Sequence, residues 1–286
     1  MLSLLPADQP ELLRRVLETG VPVVLLLVHG RPVSFDTDPS ANARGFSSLL
    51  DFPNLAAVVA GWRGGEEGGT ALVNLLRGAM VTGGGGPSGR LAQAWPRSVG
   101  QVGGPASPWF QPRNGKWIAN RRGEADPTDG LYHYDPYVDG PSTPLFAFGS
   151  GLSYLPGGKP VVSYGAGSAT AAVSGAGTPG AVARVSVAVR NAGAADVAEV
   201  VMVFVTAPLD NVVRYWKRLA GFKKVLLPAG ETVTVSVDVR ADDLAVFATP
   251  TPGAPPAGTR TVLKGEYQVS VGGSSDTDLV KTTFVL

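Results

Sequence analysis

Apolar residues along the chain keep two rhythms, and the change falls near residue 160. In ADQPELLRRVLETG (Ala7–Gly20), Leu12, Leu13, Val16 and Leu17 recur at helical spacing. Asp8 suits the N-cap, Pro10 the first turn and Gly20 the stop, so the pattern predicts a helix. VPVVLLLV (Val21–Val28) is apolar at every position, the pattern of a strand covered on both faces in a parallel sheet. LAAVVAG (Leu55–Gly61) repeats that pattern. EEGGTALVNLLRG (Glu66–Gly78) predicts a second helix with Leu72, Leu75 and Leu76 on one face. Alternating strands and helices of this kind predict an α/β layer.

Residues 97–145 keep no period and are rich in Pro, Gly, Trp and Tyr. A long irregular segment usually carries function or wraps a neighbour. From about Pro160 the period becomes two. ARVSVAVRNAG sets Val185, Val187 and Val189 on one face, and VVMVFVTAP, ETVTVSVDV and GEYQVSVGG follow with strong β propensity. Gly, Pro and Asp turns separate them, which predicts an antiparallel β-sandwich.

Composition narrows the function. A length of 286 residues suits about two domains. With 44% apolar and 16% charged residues the chain reads as folded. A net charge of +1 leaves no basic excess to neutralise phosphates, so nucleic acid and an anionic membrane are excluded as partners. No cysteine is present, which removes disulfides, thiolate metal sites and a Cys nucleophile. The run Val21–Val28 is far short of the ~20 residues of a membrane helix. MLSLLPADQPELL lacks a basic n-region and does not read as a signal peptide.

Gly84 to Gly89 has the glycine spacing of a phosphate-binding loop, but Arg90-Leu91 stands where Lys and Ser/Thr are required, and a helix precedes it. Its plain reading is a surface turn. No G-x-S-x-G elbow exists, so His29 and His133 have no serine nucleophile to serve. His29 reads as a packing residue at a strand end, and two isolated histidines make a poor metal site. Glu66 and Glu67 sit where negative charge favours a helix start. Asp135 and Asp139, among tyrosines, suit a sugar-contacting loop. RYWKRLAGFKK (Arg214–Lys224) reads as the solvated face of an edge strand.

Three ordered segments carry a resemblance: WRGGEEGGTALVNLLRG, GGPSGRLAQAWPRSVGQ and PLFAFGSGLSY. Together they resemble the C-terminal part of family 3 glycoside hydrolases, especially the β-glucosidase branch. Pro87-Ser88-Gly89-Arg90-Leu91, Pro96-Arg97-Ser98-Val99-Gly100-Gln101 and Pro144-Leu145-Phe146 with Phe148-Gly149 and Gly151-Leu152-Ser153-Tyr154 match in order. RNAGAADVAEVVMVFV, KRLAGFKKVLLPAGET and GEYQVSVGGSSD are similar to the family's appended fibronectin type III-like domain.

The resemblance implies an incomplete α/β sandwich with a mostly parallel sheet over residues 1–156, then a fibronectin type III-like antiparallel sandwich over 157–286. It implies retaining hydrolysis of terminal β-glycosidic bonds, β-D-glucosides first, with neither metal nor organic cofactor. The family's nucleophile Asp lies on a (β/α)₈ barrel and its acid/base Glu just upstream of a segment like Leu2–Leu13. Neither can be carried onto this chain, so catalysis is expected to need a barrel from elsewhere, as a longer protein or a separate chain. Trp109, Tyr132, His133, Tyr134 and Asp135 are the candidates for substrate proximity, and a β-glucoside or oligosaccharide is the expected partner. A non-catalytic module binding carbohydrate or a protein is the alternative. Family habit implies secretion or a vacuole-like compartment. An incomplete sheet is also expected to leave apolar surface open.

Overall fold

The computed structural model describes residues 3–6, 8–35, 48–78, 88–97, 144–153, 162–165, 168–173, 180–208, 217–247, 258–276 and 280–286. The first part holds β1 (Ser3–Leu4), α1 (Gln9–Glu18), β2 (Val23–Leu27), β3 (Val33–Ser34), a 3₁₀ turn at Leu49–Asp51, β4 (Leu55–Ala60) and α2 (Gly68–Leu76). β2 pairs in parallel with β4, Leu25 opposite Val58, and β1 pairs in parallel with β3. Leu13 and Leu17 of α1 pack with Leu27, Phe35, Phe52 and Trp95 as the core of this part.

α1 forms where its periodicity places it, but its start differs from expectation. Asp8 occupies the N-cap position without a side-chain cap bond, because its backbone (φ −85°, ψ 7°) is not the extended one that aims a cap inward. Charge pairing on the helix surface is extensive instead. Glu11 accepts from Arg14 and Arg15, and Arg14 also donates to Glu18 at 2.7 Å. Gly20, at φ 79°, carries the left-handed turn that ends the helix.

The parallel pair forms in register, yet it is not covered on both faces. Val24 is 49% exposed and Val28 71%. On α2, Val73 is 44% and Leu76 58% exposed, and the helix buries no residue fully. The cause is sheet width. β2 and β4 make a two-stranded sheet among the described residues, which is too narrow to cover helices on both sides.

The second part is the β-sandwich. It comprises β5 (Val162–Tyr164), β6 (Thr170–Val173), β7 (Ala181–Asn191), β8 (Val197–Thr206), β9 (Arg218–Leu227), β10 (Thr232–Arg240), α3 (Ala241–Leu244), β11 (Val246–Phe247), β12 (Arg260–Thr261), β13 (Glu266–Gly272) and β14 (Val280–Val285). One sheet runs β10-β7-β5, with β6 also on β7, and the other β14-β13-β8-β9. All these pairings are antiparallel. Val185, Val187 and Val189 alternate inward from β7 to meet Val201, Val203 and Tyr267 in the core. Full burial of each such side chain is worth about 1.5–3 kcal/mol. β9 is the edge strand predicted from its lysines, with Lys223 and Lys224 exposed. Lys217 departs from that pattern: it is buried, its Nζ 5.5 Å from the centroid of the Phe204 ring.

Candidate functional site

The signature segments come together as a short antiparallel ladder. Leu91 N–H donates to Ser150 O at 2.9 Å and Gly149 N–H to Leu91 O at 2.8 Å. Further along, Trp95 N–H donates to Phe146 O and Leu145 N–H to Trp95 O, both at 2.7 Å. Residues 88–91 thus form one side of a joint with residues 149–153, while residues 84–87 of the glycine-rich run lie outside the described residues.

One end of the ladder is ionic and enters the sandwich. Arg90 Nη2 donates to Glu199 Oε2 at 2.7 Å, with the two side chains only 7% and 4% exposed. The same nitrogen donates to Ser153 Oγ at 2.8 Å. Ser153 Oγ lies 2.6 Å from Glu199 Oε2 and 3.0 Å from Ala198 O. From β5, Tyr164 OH donates to the other carboxylate oxygen at 3.0 Å. Burial, with the Glu199 charge beside it, pushes the Tyr164 phenol far above its ordinary range, so it stays protonated and donates. Glu199 therefore joins both sheets of the sandwich to both signature strands. Arg90 Nε is buried and finds no acceptor among the described residues.

The backbone completes this joint. Ser275 N–H donates to Phe148 O at 2.8 Å. Gly149 adopts φ +83°, and a Cβ there would stand 2.8 Å from Met202 Sδ and 3.0 Å from Ser274 Cα. Only glycine fits both the conformation and the space.

The other end of the ladder is aromatic and meets the carboxyl ends of β2 and β4. The His29 ring lies 4.5 Å from Trp62 and 5.1 Å from Trp95, centroid to centroid. Trp95 is buried, stacks on Phe35 and donates from Nε1 to Val33 O at 2.8 Å. His29 Nδ1 is 2.8 Å from Arg31 O, and a carbonyl only accepts, so that nitrogen carries the proton. Its Nε2 is buried without a partner among the described residues. Trp62 has φ 53°, a left-handed backbone unusual for a bulky residue. His29 thus packs at a strand end between two indoles. In open α/β sheets, ligands bind outside the carboxyl ends of the parallel strands.

Trp109, Tyr132, His133, Tyr134 and Asp135 lie outside the described residues, as do Asp139 and Arg214–Trp216. Just before that segment, Arg97 O accepts from Ser34 Oγ at 3.4 Å. Sequence reasoning missed Glu199. Its signal was available: a lone carboxylate inside VAEVVMVFV, a run otherwise made for burial, requires a cationic partner.

An α/β layer with a parallel pair is joined, through residues 88–97 and 144–153, to a fibronectin type III-like sandwich. Residues 3–154 match the glycosyl hydrolase family 3 C-terminal domain, and residues 199–275 match the fibronectin type III-like domain. The chain belongs to glycoside hydrolase family 3. It is 31% identical over 276 residues to a beta-xylosidase of Formosa agariphila, covering 96% of this chain and 31% of that protein. A periplasmic beta-glucosidase of Salmonella typhimurium is 29% identical over 239 residues, covering 83% of this chain and 26% of that protein. Among solved structures, a Bifidobacterium adolescentis family 3 beta-glucosidase superposes with a TM-score of 0.64 at 27% identity, covering 98% of this chain and 35% of that one. The chain spans about a third of the length of the relatives it matches.

Proposed function

We propose that this chain is the C-terminal portion of a retaining β-glycosidase that removes terminal β-linked sugars, β-D-glucose first. The observation that carries this reading is the ordered pair of domain matches over residues 3–154 and 199–275, in a chain about a third as long as its relatives. Retaining hydrolysis needs two carboxyl groups about 5–5.5 Å apart, one as nucleophile and one as acid/base. The family keeps these on and beside its barrel, so the chain alone is inactive. General acid help is worth 10²–10⁴-fold on its own. In the completed enzyme Trp109, Tyr132, His133, Tyr134 and Asp135 face the sugar, and the chemistry uses no metal or organic cofactor.

The test is a fusion. The barrel region of the Salmonella relative is joined ahead of this chain, and hydrolysis of p-nitrophenyl β-D-glucoside and β-D-xyloside is followed. The chain alone is expected to give no turnover, and the fusion to hydrolyse the glucoside faster. A folded fusion without turnover would overturn the reading. Oligosaccharide binding by the chain alone, with no gain on fusion, would put a non-catalytic binding module in its place.

A further inference from the structure

We propose that Glu199 is a positioning residue: from inside the sandwich it fixes, through Arg90 and Ser153, the ladder whose far end is the Trp95–Phe146 bridge. This goes beyond the proposed activity, since it concerns this chain alone and holds whether or not the completed protein hydrolyses anything.

The ladder has two described segments, residues 88–97 and 144–153, which share the isolated Trp95–Phe146 bridge, and each is held at three points. Arg90 and Ser153 meet the Glu199 carboxylate at 2.7 and 2.6 Å. Gly149, Leu91 and Ser150 bond across the middle, where Phe148 O also takes the Ser275 N–H. Trp95, Leu145 and Phe146 close the end, against His29. Of these ties, the first is charged and buried on both sides, and such bonds are the strong ones. The rest are neutral: backbone bonds across the middle and at the Trp95 end, where Trp95 Nε1 also donates to Val33 O. Loss of the carboxylate charge removes this tie and leaves the Arg90 guanidinium with no counter-charge among the described residues it contacts, so residues 88–91 are no longer held against the sandwich. Trp95 lies on that same segment, so the loosening reaches the aromatic bridge.

The experiment is amide hydrogen exchange on the full 286-residue chain. Glu199→Gln is expected to speed exchange of the Trp95 and Leu145 N–H groups about 10- to 100-fold, the loss of a charged hydrogen bond. Val187 and Val235, paired in the distant β7–β10 ladder, are expected to stay unchanged. Equal acceleration at all four amides would mean general destabilisation and would overturn the proposal. So would acceleration in β8 with Trp95 and Leu145 unmoved. Adding Arg90→Met to Glu199→Gln removes the stranded charge. Overall stability is then expected to recover while Trp95 and Leu145 stay fast, and joint recovery of both would overturn the assignment. If Glu199→Gln does not fold, Ser153→Ala serves instead: it is expected to speed the same two amides more modestly, and no change there would sink the idea.

Discussion

Gly149 faces Met202 across the junction of the two parts, and a Cβ on Gly149 would stand 2.8 Å from the methionine sulfur. The thioether end can swing aside, but Ser274 Cα at 3.0 Å belongs to backbone and cannot. Gly149→Ala also forces a side chain into φ +83°. The substitution is expected to cost about 1–3 kcal/mol, read as a lower urea midpoint at unchanged slope. Adding Met202→Ala recovers little, because the backbone clash remains. An unshifted midpoint for Gly149→Ala would refute this account of the junction.

Asn191 ends β7 fully buried, its Nδ2 within 2.9 Å of both Ala195 O and Leu227 O, and its Oδ1 taking the Gly193 N–H. Asn191→Asp keeps the shape and removes the two donors. About 1–3 kcal/mol is expected to go with the orphaned carbonyls, and more when the introduced carboxyl is ionised. That carboxyl, desolvated among oxygens, has its folded-state pKa raised, so the variant regains stability as pH falls and loses it as pH rises. Thermal melts at pH 4 and pH 8 read the difference. A variant that melts alike at both, or higher at pH 8, would contradict it.

On α1, hydrogen bonds from Arg14 and then Arg15 hold the Glu11 carboxyl at about 2, against an ordinary 4.5. A depressed folded-state value gives stability that is complete above 4.5 and is lost as pH falls toward 2. The Glu11 side chain is partly exposed, at 44%, so the effect is confined to the helix and weakens with salt. NMR shifts of the α1 amides in an acid titration are expected to move in that window. Glu11→Gln should abolish the movement.

Separated halves should behave unequally. Residues 157–286 contain the sandwich core and are expected to melt sharply and reversibly. Residues 1–156 expose Val24, Val28, Val73 and Leu76, and are expected to bind a hydrophobic dye and aggregate. Calorimetry of each half decides. A cooperative melt from 1–156 would show that the narrow sheet sustains itself.

Periodicity located most of the fold. α1, β2, β4 and α2 lie inside the segments their patterns marked, and Val185, Val187 and Val189 face the sandwich core. Burial was the part it could not supply. Leu72, Leu75 and Leu76 share a helix face by geometry, but what covers that face depends on sheet width, which no local pattern encodes. The Asp8 cap failed for a similar reason, since residue type does not set the backbone that aims it. Arg90, Gly149 and Ser153 were visible as motif letters without a role. Their role follows only once Glu199, 109 residues beyond Arg90, is brought to them.

That separation in sequence also sets an order of events. The β7–β10 and β13–β14 pairs, and α1 with its neighbours, form from closer segments, whereas the Arg90–Glu199 contact closes a loop of 109 residues. Contacts of long span are made late in folding. The junction is then expected to assemble late, and substitutions within it should hasten unfolding while leaving the folding rate nearly untouched, as stopped-flow chevrons would read. The Arg90–Glu199 pair is the charged, buried member of that late-closing junction, beside the Ser275–Phe148 backbone bond.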